Sequence, residues 1–281
     1  MITRCRMKER MAHAAMARLF GIIHYYNSRL PLSNCRSRLY HGKTTFAGKE
    51  RFPIIPIRDT IPSSRTPVVT YALILLNSAV FIYQFTLGEA VNDFIYAYSV
   101  IPYRFLHLYA STPMELLTPL SAMFLHGGWL HVIGNMLFLY IFGDNVEDIL
   151  GHGRYVAFYL LCGVASFLAQ ILLQSNSMVP NVGASGAIAG VLGAYILLFP
   201  RARVVTLLPI FIFFTVVEIP AYIFLGIWFL IQFFSGALAL GRTDALSGGV
   251  AWWAHIGGFL VGMLLIKLMA PRRPARKSAI L

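Results

Sequence analysis

The chain has 281 residues, of which 58% are hydrophobic and only 12% charged. Soluble globular domains carry about 25% charged residues, so the composition excludes an ordinary soluble enzyme and reads as a membrane protein. The net charge of +12 sits mostly at one end, where residues 1–66 hold 13 Lys/Arg against Glu9, Glu50 and Asp59.

Such a basic tail also raises nucleic-acid binding. Basic residues that flank apolar segments are explained instead by retention on the cytoplasmic side of a membrane, so no nucleic-acid partner is expected. Cys5 and Cys35 lie in the tail and Cys162 in an apolar run. That spacing offers neither a disulfide framework nor a cysteine metal site.

Residues 1–66 read as a poorly ordered cytoplasmic tail and linker. They lack the layout of a secretory signal, and their Arg-rich, acid-poor make-up is loosely like a mitochondrial transit peptide. Six apolar segments follow, at 68–87, 128–142, 155–173, 185–199, 221–240 and 252–269. The expected fold is an all-α membrane protein with six transmembrane helices over residues 67–271, followed by a basic tail at 272–281. A seventh apolar stretch, 204–215, contains Pro209 and is too short to cross between Arg203 and Glu218. It is expected to lie at the cytoplasmic interface. Both basic ends belong in the cytoplasm, which fits an even number of spans. The loops this places outside, 88–118, 174–182 and 241–251, carry only Arg104 and Arg242 as basic residues.

Segment four opens with Gly183-Ala184-Ser185-Gly186 and runs to Phe199 before Arg201. As a helix it reaches about 22 Å, against about 30 Å of hydrocarbon, so Ser185 starts roughly 8 Å below the outer surface. Non-helical backbone at that depth survives only inside protein or beside a water-filled cavity. Segments two, four and six run in the same direction, so heights can be compared. Ser185 precedes Arg201 by 16 residues and His255 precedes Arg272 by 17. His131 and Asn135 each precede an aspartate, Asp144 or Asp148, by 13, and being four apart they share a helix face. Polar groups from three helices therefore meet in one layer.

Each has a plainer reading: an interhelical hydrogen bond for a histidine or asparagine, packing for a serine. Zinc on His126, His131 and His255 is disfavoured. His126 and His131 are five apart in sequence, no His-Glu-x-x-His pattern occurs, and no acid shares the layer. Neither a metal nor another cofactor is expected. The chemical reading is nucleophilic catalysis, with His255 taking the proton of Ser185. No carboxylate stands at this depth, so a dyad is implied rather than a triad. The Ser185 N–H, His131 and Asn135 are candidate donors to an oxyanion. An ion or proton path would require acids at depth and repeated broken helices, which are absent from the sequence.

Three stretches, His126-Gly-Gly-Trp-Leu-His131-Val-Ile-Gly-Asn135, Gly183-Ala-Ser185-Gly186 and Ala254-His255-Ile-Gly257-Gly258, occur in the order and spacing of one family. The chain resembles the rhomboid intramembrane serine proteases over residues 68–270. The resemblance implies a six-helix bundle with its active site below the outer membrane surface. It implies Ser185 as nucleophile, His255 as general base, and oxyanion support from His131 and Asn135. His126, Gly183, Gly186 and Glu147 would give structural support, the glutamate bracing the turn after segment two. Substrates would be membrane proteins whose transmembrane segment is helix-destabilised, entering beside segment five, where Phe224, Phe229 and Phe233 are gate candidates. A bacterial plasma membrane location with both termini cytoplasmic is expected. Two departures stand out: Tyr103-Arg104 replaces a Trp-Arg pair in the first loop. Ala189 stands where some members stack a tyrosine on the histidine.

Overall fold

A computed structural model describes residues 55–108, 113–210, 213–239 and 250–271. Cys5, Cys35, Arg242 and the expected tails, apart from residues 55–66, lie outside these. In chain order the elements are β1 (Ile55–Asp59), α1 (Val68–Thr86), α2 (Val91–Tyr98), α3 (Pro102–Leu108), α4 (Thr118–Ser121), α5 (Trp129–Leu150), α6 (His152–Leu173), α7 (Ser185–Leu198), β2 (Arg203–Ile210), β3 (Phe213–Pro220), α8 (Ala221–Ala239) and α9 (Trp252–Met269). Helices α1, α6, α8 and α9 are each long and apolar enough to cross a membrane. A fifth crossing results if α5 and the helical turns of Pro113–Phe124, bent from it by 80°, count as one span. The 14 residues of α7 reach only about 21 Å, less than the hydrocarbon thickness.

The helices are inside-out relative to those of a soluble protein. In α1 the buried positions are Thr70, Asn77, Phe81 and Gln84, while Leu75, Ile82 and Phe85 are exposed. That pattern suits a lipid solvent, where polar groups must find partners within the bundle. Helix α7 is buried at every position from Gly186 to Tyr195, which makes it the centre of the bundle. Its closest partner is α9. A Cβ on Gly258 would stand 2.0 Å from the Gly186 carbonyl oxygen, and one on Gly262 would stand 2.1 Å from that of Gly190. Bare backbone thus meets bare backbone along this pair.

The fold is mostly helical but not all-α. Strands β1, β2 and β3 form an antiparallel sheet in that order, with Arg203 opposite Pro220 and Ile210 opposite Phe213. The described residues of the stretch 204–215 are therefore strand. Its Val204-Val205-Thr206 run favours extended backbone, and Pro209, which cannot donate to a ladder, lies beyond the reach of β1. Residues 55–66, read above as linker, supply β1 and further ties. Ser64 donates to Asp148 at 2.7 Å, and Asp59 accepts from Asn145 at 2.9 Å and from the Tyr195 hydroxyl. Burial raises the Asp59 carboxyl above its ordinary pKa despite these donors. Partners of this kind also explain why α5 runs eight residues past the end of its apolar stretch.

Candidate active site

The approach to Ser185 is fixed on both sides. Asn181 and Val100 exchange backbone hydrogen bonds at 2.8 and 3.1 Å, and the Gly183 N–H donates to the Ala122 carbonyl at 2.8 Å. Gly183 has φ +126°, a conformation that side-chain-bearing residues rarely adopt. A Cβ there would also stand 2.8 Å from His131 Nε2 and 3.5 Å from Ser185 Oγ. The imidazole of His131 thus packs directly against the bend that delivers the serine. At the next glycine, Gly186, a Cβ would fall 2.0 Å from Ser166 Oγ, so only hydrogen lets α6 approach.

His255 lies in the first turn of α9. Its Nε2 lies 2.7 Å from Ser185 Oγ, and its Nδ1 lies 2.7 Å from Gln232 Oε1. The Trp228 ring lies 6.0 Å from the imidazole in a tilted arrangement, and Trp252 stands edge-on at 6.4 Å. One residue before the histidine, the Ala254 N–H donates to Gln170 Oε1 at 3.2 Å, which pins the start of α9 to α6.

Asn135 follows His131 by one turn of α5. It is nine-tenths buried, and its Nδ2 has no hydrogen-bond partner among the described residues. Such an orphaned donor is costly unless something occupies the space in front of it. His126 does not join the dyad. Gln84 clasps its peptide, accepting from the His126 N–H at 3.0 Å and donating to its carbonyl at 3.1 Å. Its ring stands edge-on to His131 at 5.2 Å. Among the described residues no three His, Cys, Asp or Glu side chains are grouped to hold a metal ion.

Glu147 lies about 18 Å further along α5 than Asn135, at the far end of the bundle. Its carboxylate accepts from the N–H groups of Val69 and Thr70 at 2.9 and 2.8 Å and from the Thr70 hydroxyl at 2.7 Å. It supplies the cap that Pro67 cannot give α1. His152, the first residue of α6, lies 2.6 Å from the same carboxylate.

The rhomboid domain, as a family, matches residues 113–272, more than half of the chain. The chain belongs to the rhomboid family. This rhomboid is 29% identical over 171 residues to rhomboid protein 1, mitochondrial, of Saccharomyces cerevisiae, covering 58% of this chain and 45% of that one. It is 36% identical over 147 residues to RHOMBOID-like protein 4 of Arabidopsis thaliana, covering 52% and 32%. Over 97 residues it is 36% identical to the presenilin-associated rhomboid-like protein, mitochondrial, of Mus musculus, covering 34% and 26%. The chain spans about a quarter to a half of the length of the curated relatives it matches.

Two side chains against the histidine of this rhomboid were not singled out from its sequence. Gln232 meets His255 Nδ1, away from the Nε2 that faces Ser185, and Trp228, one turn earlier on α8, lies 6.0 Å from the same ring. Gln232 is the one amide in the apolar run of α8. A polar group in such a run faces the bundle interior by default, and that signal points to it. The phenylalanines read as a gate pack inward in part: Phe224 lies 6.4 Å from both Phe138 and Phe142 of α5, and Phe229 lies 4.9 Å from Phe259 of α9. Phe233 lies 6.4 Å from Trp253. In the first loop of this rhomboid, Arg104 is buried. It pairs with Glu115 at 2.8 Å, donates to the Ser99 carbonyl at 2.9 Å and lies over the Tyr96 ring.

Proposed function

We propose that this rhomboid is an intramembrane serine endopeptidase that cleaves other membrane proteins within or beside a transmembrane segment. The observation that carries the reading is the 2.7 Å contact between Ser185 Oγ and His255 Nε2. His255 Nε2 takes the hydroxyl proton as Oγ attacks the scissile carbonyl carbon. The carbonyl oxygen becomes an oxyanion, met by Asn135 Nδ2, the His131 ring and the unpaired N–H groups of the first turn of α7. Collapse breaks the C–N bond, and the imidazolium returns its proton to the leaving amine. Water, deprotonated by the same imidazole, then hydrolyses the acyl-serine.

In this reading α7 is the fourth of six spans, short because its serine opens below the outer surface, and both termini are cytoplasmic. The scissile amide of a helical substrate is hydrogen-bonded, so segments with small or helix-destabilising residues are the preferred substrates. They enter beside α8. The basic stretches on either side of the bundle, 1–66 and 272–281, lie on the cytoplasmic side. Several relatives carry mitochondrial or chloroplastic names. The bacterial plasma membrane anticipated from the sequence has no support among them, and the proposal stops at a multi-pass membrane protein.

The test is labelling by a serine-directed fluorophosphonate, together with cleavage of a single-span substrate in liposomes. Wild type should label and cleave, and Ser185→Ala should do neither while keeping its helical content. Cleavage that persists in Ser185→Ala rejects the nucleophile. A folded wild type that neither labels nor cleaves points instead to a protein that only captures transmembrane helices.

A further inference from the structure

The dyad has a third member in space. Gln232 is turned inward from α8 with only 7% of its surface exposed, and its Oε1 lies 2.7 Å from His255 Nδ1. An amide oxygen carries lone pairs and no proton, so whatever it contacts at that distance must donate. The proton of a neutral imidazole is thereby held on Nδ1, and the Nε2 lone pair is left facing Ser185 Oγ. The opposite tautomer would place N–H against the hydroxyl and offer the serine no base. When Nε2 becomes protonated, Nδ1–H still donates to the same oxygen, now as a charge-assisted bond. Trp228, four residues earlier on α8, covers the same ring at 6.0 Å. Both of these contacts on the back of the base therefore come from one helix, the one beside which substrate is proposed to enter.

We propose that Gln232 is the positioning residue of the dyad: it holds His255 in the proton-accepting tautomer and ties that alignment to the docking of α8 against α9. The inference rests on the Ser185–His255 reading of the site. An α8 displaced to admit substrate takes Gln232 and Trp228 with it, so the base is realigned only when α8 returns.

The experiment uses the full chain in detergent as wild type, Gln232→Leu, Gln232→Glu and Ser185→Ala. Gln232→Leu keeps the volume and removes the acceptor. Its kcat on a single-span substrate should fall by about 10–100-fold with KM within about 2-fold, the mark of an interaction that matters only to the chemical step. Gln232→Glu restores an acceptor and should bring kcat back to within about 3-fold of wild type. Ring ¹⁵N NMR of histidine-labelled protein should place the His255 proton on Nδ1 in wild type and on a mixture of both nitrogens in Gln232→Leu. A wild-type proton on Nε2, or a folded Gln232→Leu with unchanged kcat, overturns the proposal. Should wild type cleave no faster than Ser185→Ala, the protease reading fails by itself, and the tautomer signal still decides the role of Gln232. Should Gln232→Leu not fold, the wild-type signal and the activity of Gln232→Glu decide it.

Discussion

Substituting alanine at Gly258 tests whether close helix approach sets the catalytic geometry. The added Cβ would stand 2.0 Å from the Gly186 carbonyl oxygen, whereas ordinary van der Waals contact begins at 3.4 Å. Relief asks α7 and α9 to part by up to about 1.4 Å, because packed backbone has nowhere else to go. Gly258 follows His255 by three residues and Gly186 follows Ser185 by one, so the separation opens at the height of the dyad. Taken along the line from Oγ to Nε2, it stretches the 2.7 Å contact to about 4 Å, beyond hydrogen-bond reach. Misplacement of about 1 Å costs on the order of 10²-fold in rate. The stability cost is small by comparison: overpacking takes about 1–3 kcal/mol, and the better helix propensity of alanine returns up to about 1 kcal/mol. Cleavage of a single-span substrate in liposomes should fall by about 100-fold or more, while circular dichroism shows unchanged helix content and a modest drop in melting temperature. Gly153→Ala is the control, since nothing lies within 4 Å of that position. If Gly258→Ala cleaves at nearly the wild-type rate, backbone apposition does not set the dyad and the reasoning fails.

Asn135→Ala should slow turnover by about 10²–10³-fold if its Nδ2 is a principal oxyanion donor, with KM little changed in the same steady-state assay. An unchanged kcat removes Asn135 from the site. Glu147→Ala leaves two N–H groups and a hydroxyl of α1 without their acceptor. At about 1–3 kcal/mol for each buried unpaired group, stability should drop by about 3 kcal/mol or more. Thermal denaturation in detergent reads this directly, and a melting temperature within a degree of wild type would show that the cap contributes nothing.

The nearness of Ser185 and His255 was legible because both are counted from charges that must sit at the same membrane face. Helix rise is regular, so equal counts mean equal heights. The end of α5 was not legible in the same way. Its apolar stretch ends at Phe142, but the helix continues because Asn145, Glu147 and Asp148 meet Asp59, Val69, Thr70 and Ser64. Those partners lie 77–86 residues away in sequence. Local pattern carries no trace of pairings that distant. Strand β2 was hidden for another reason: a short, mostly apolar run has no period that separates strand from buried helix. Gln232 stood in plain view as a polar residue in an apolar helix, but its target lay across a gap that sequence spacing does not measure.

The cap on α1 has a bearing on how the protein is made. Its first N–H groups are met by a carboxylate 78 residues downstream. At about 5–20 residues per second, that acceptor emerges from the ribosome roughly 4–16 s after the helix it serves. Until then water must stand in for it, so the start of α1 waits at the wet boundary of the bilayer. Helix α1 is sealed only once α5 has been made, and a nascent chain halted before Glu147 holds an unfinished insertion intermediate.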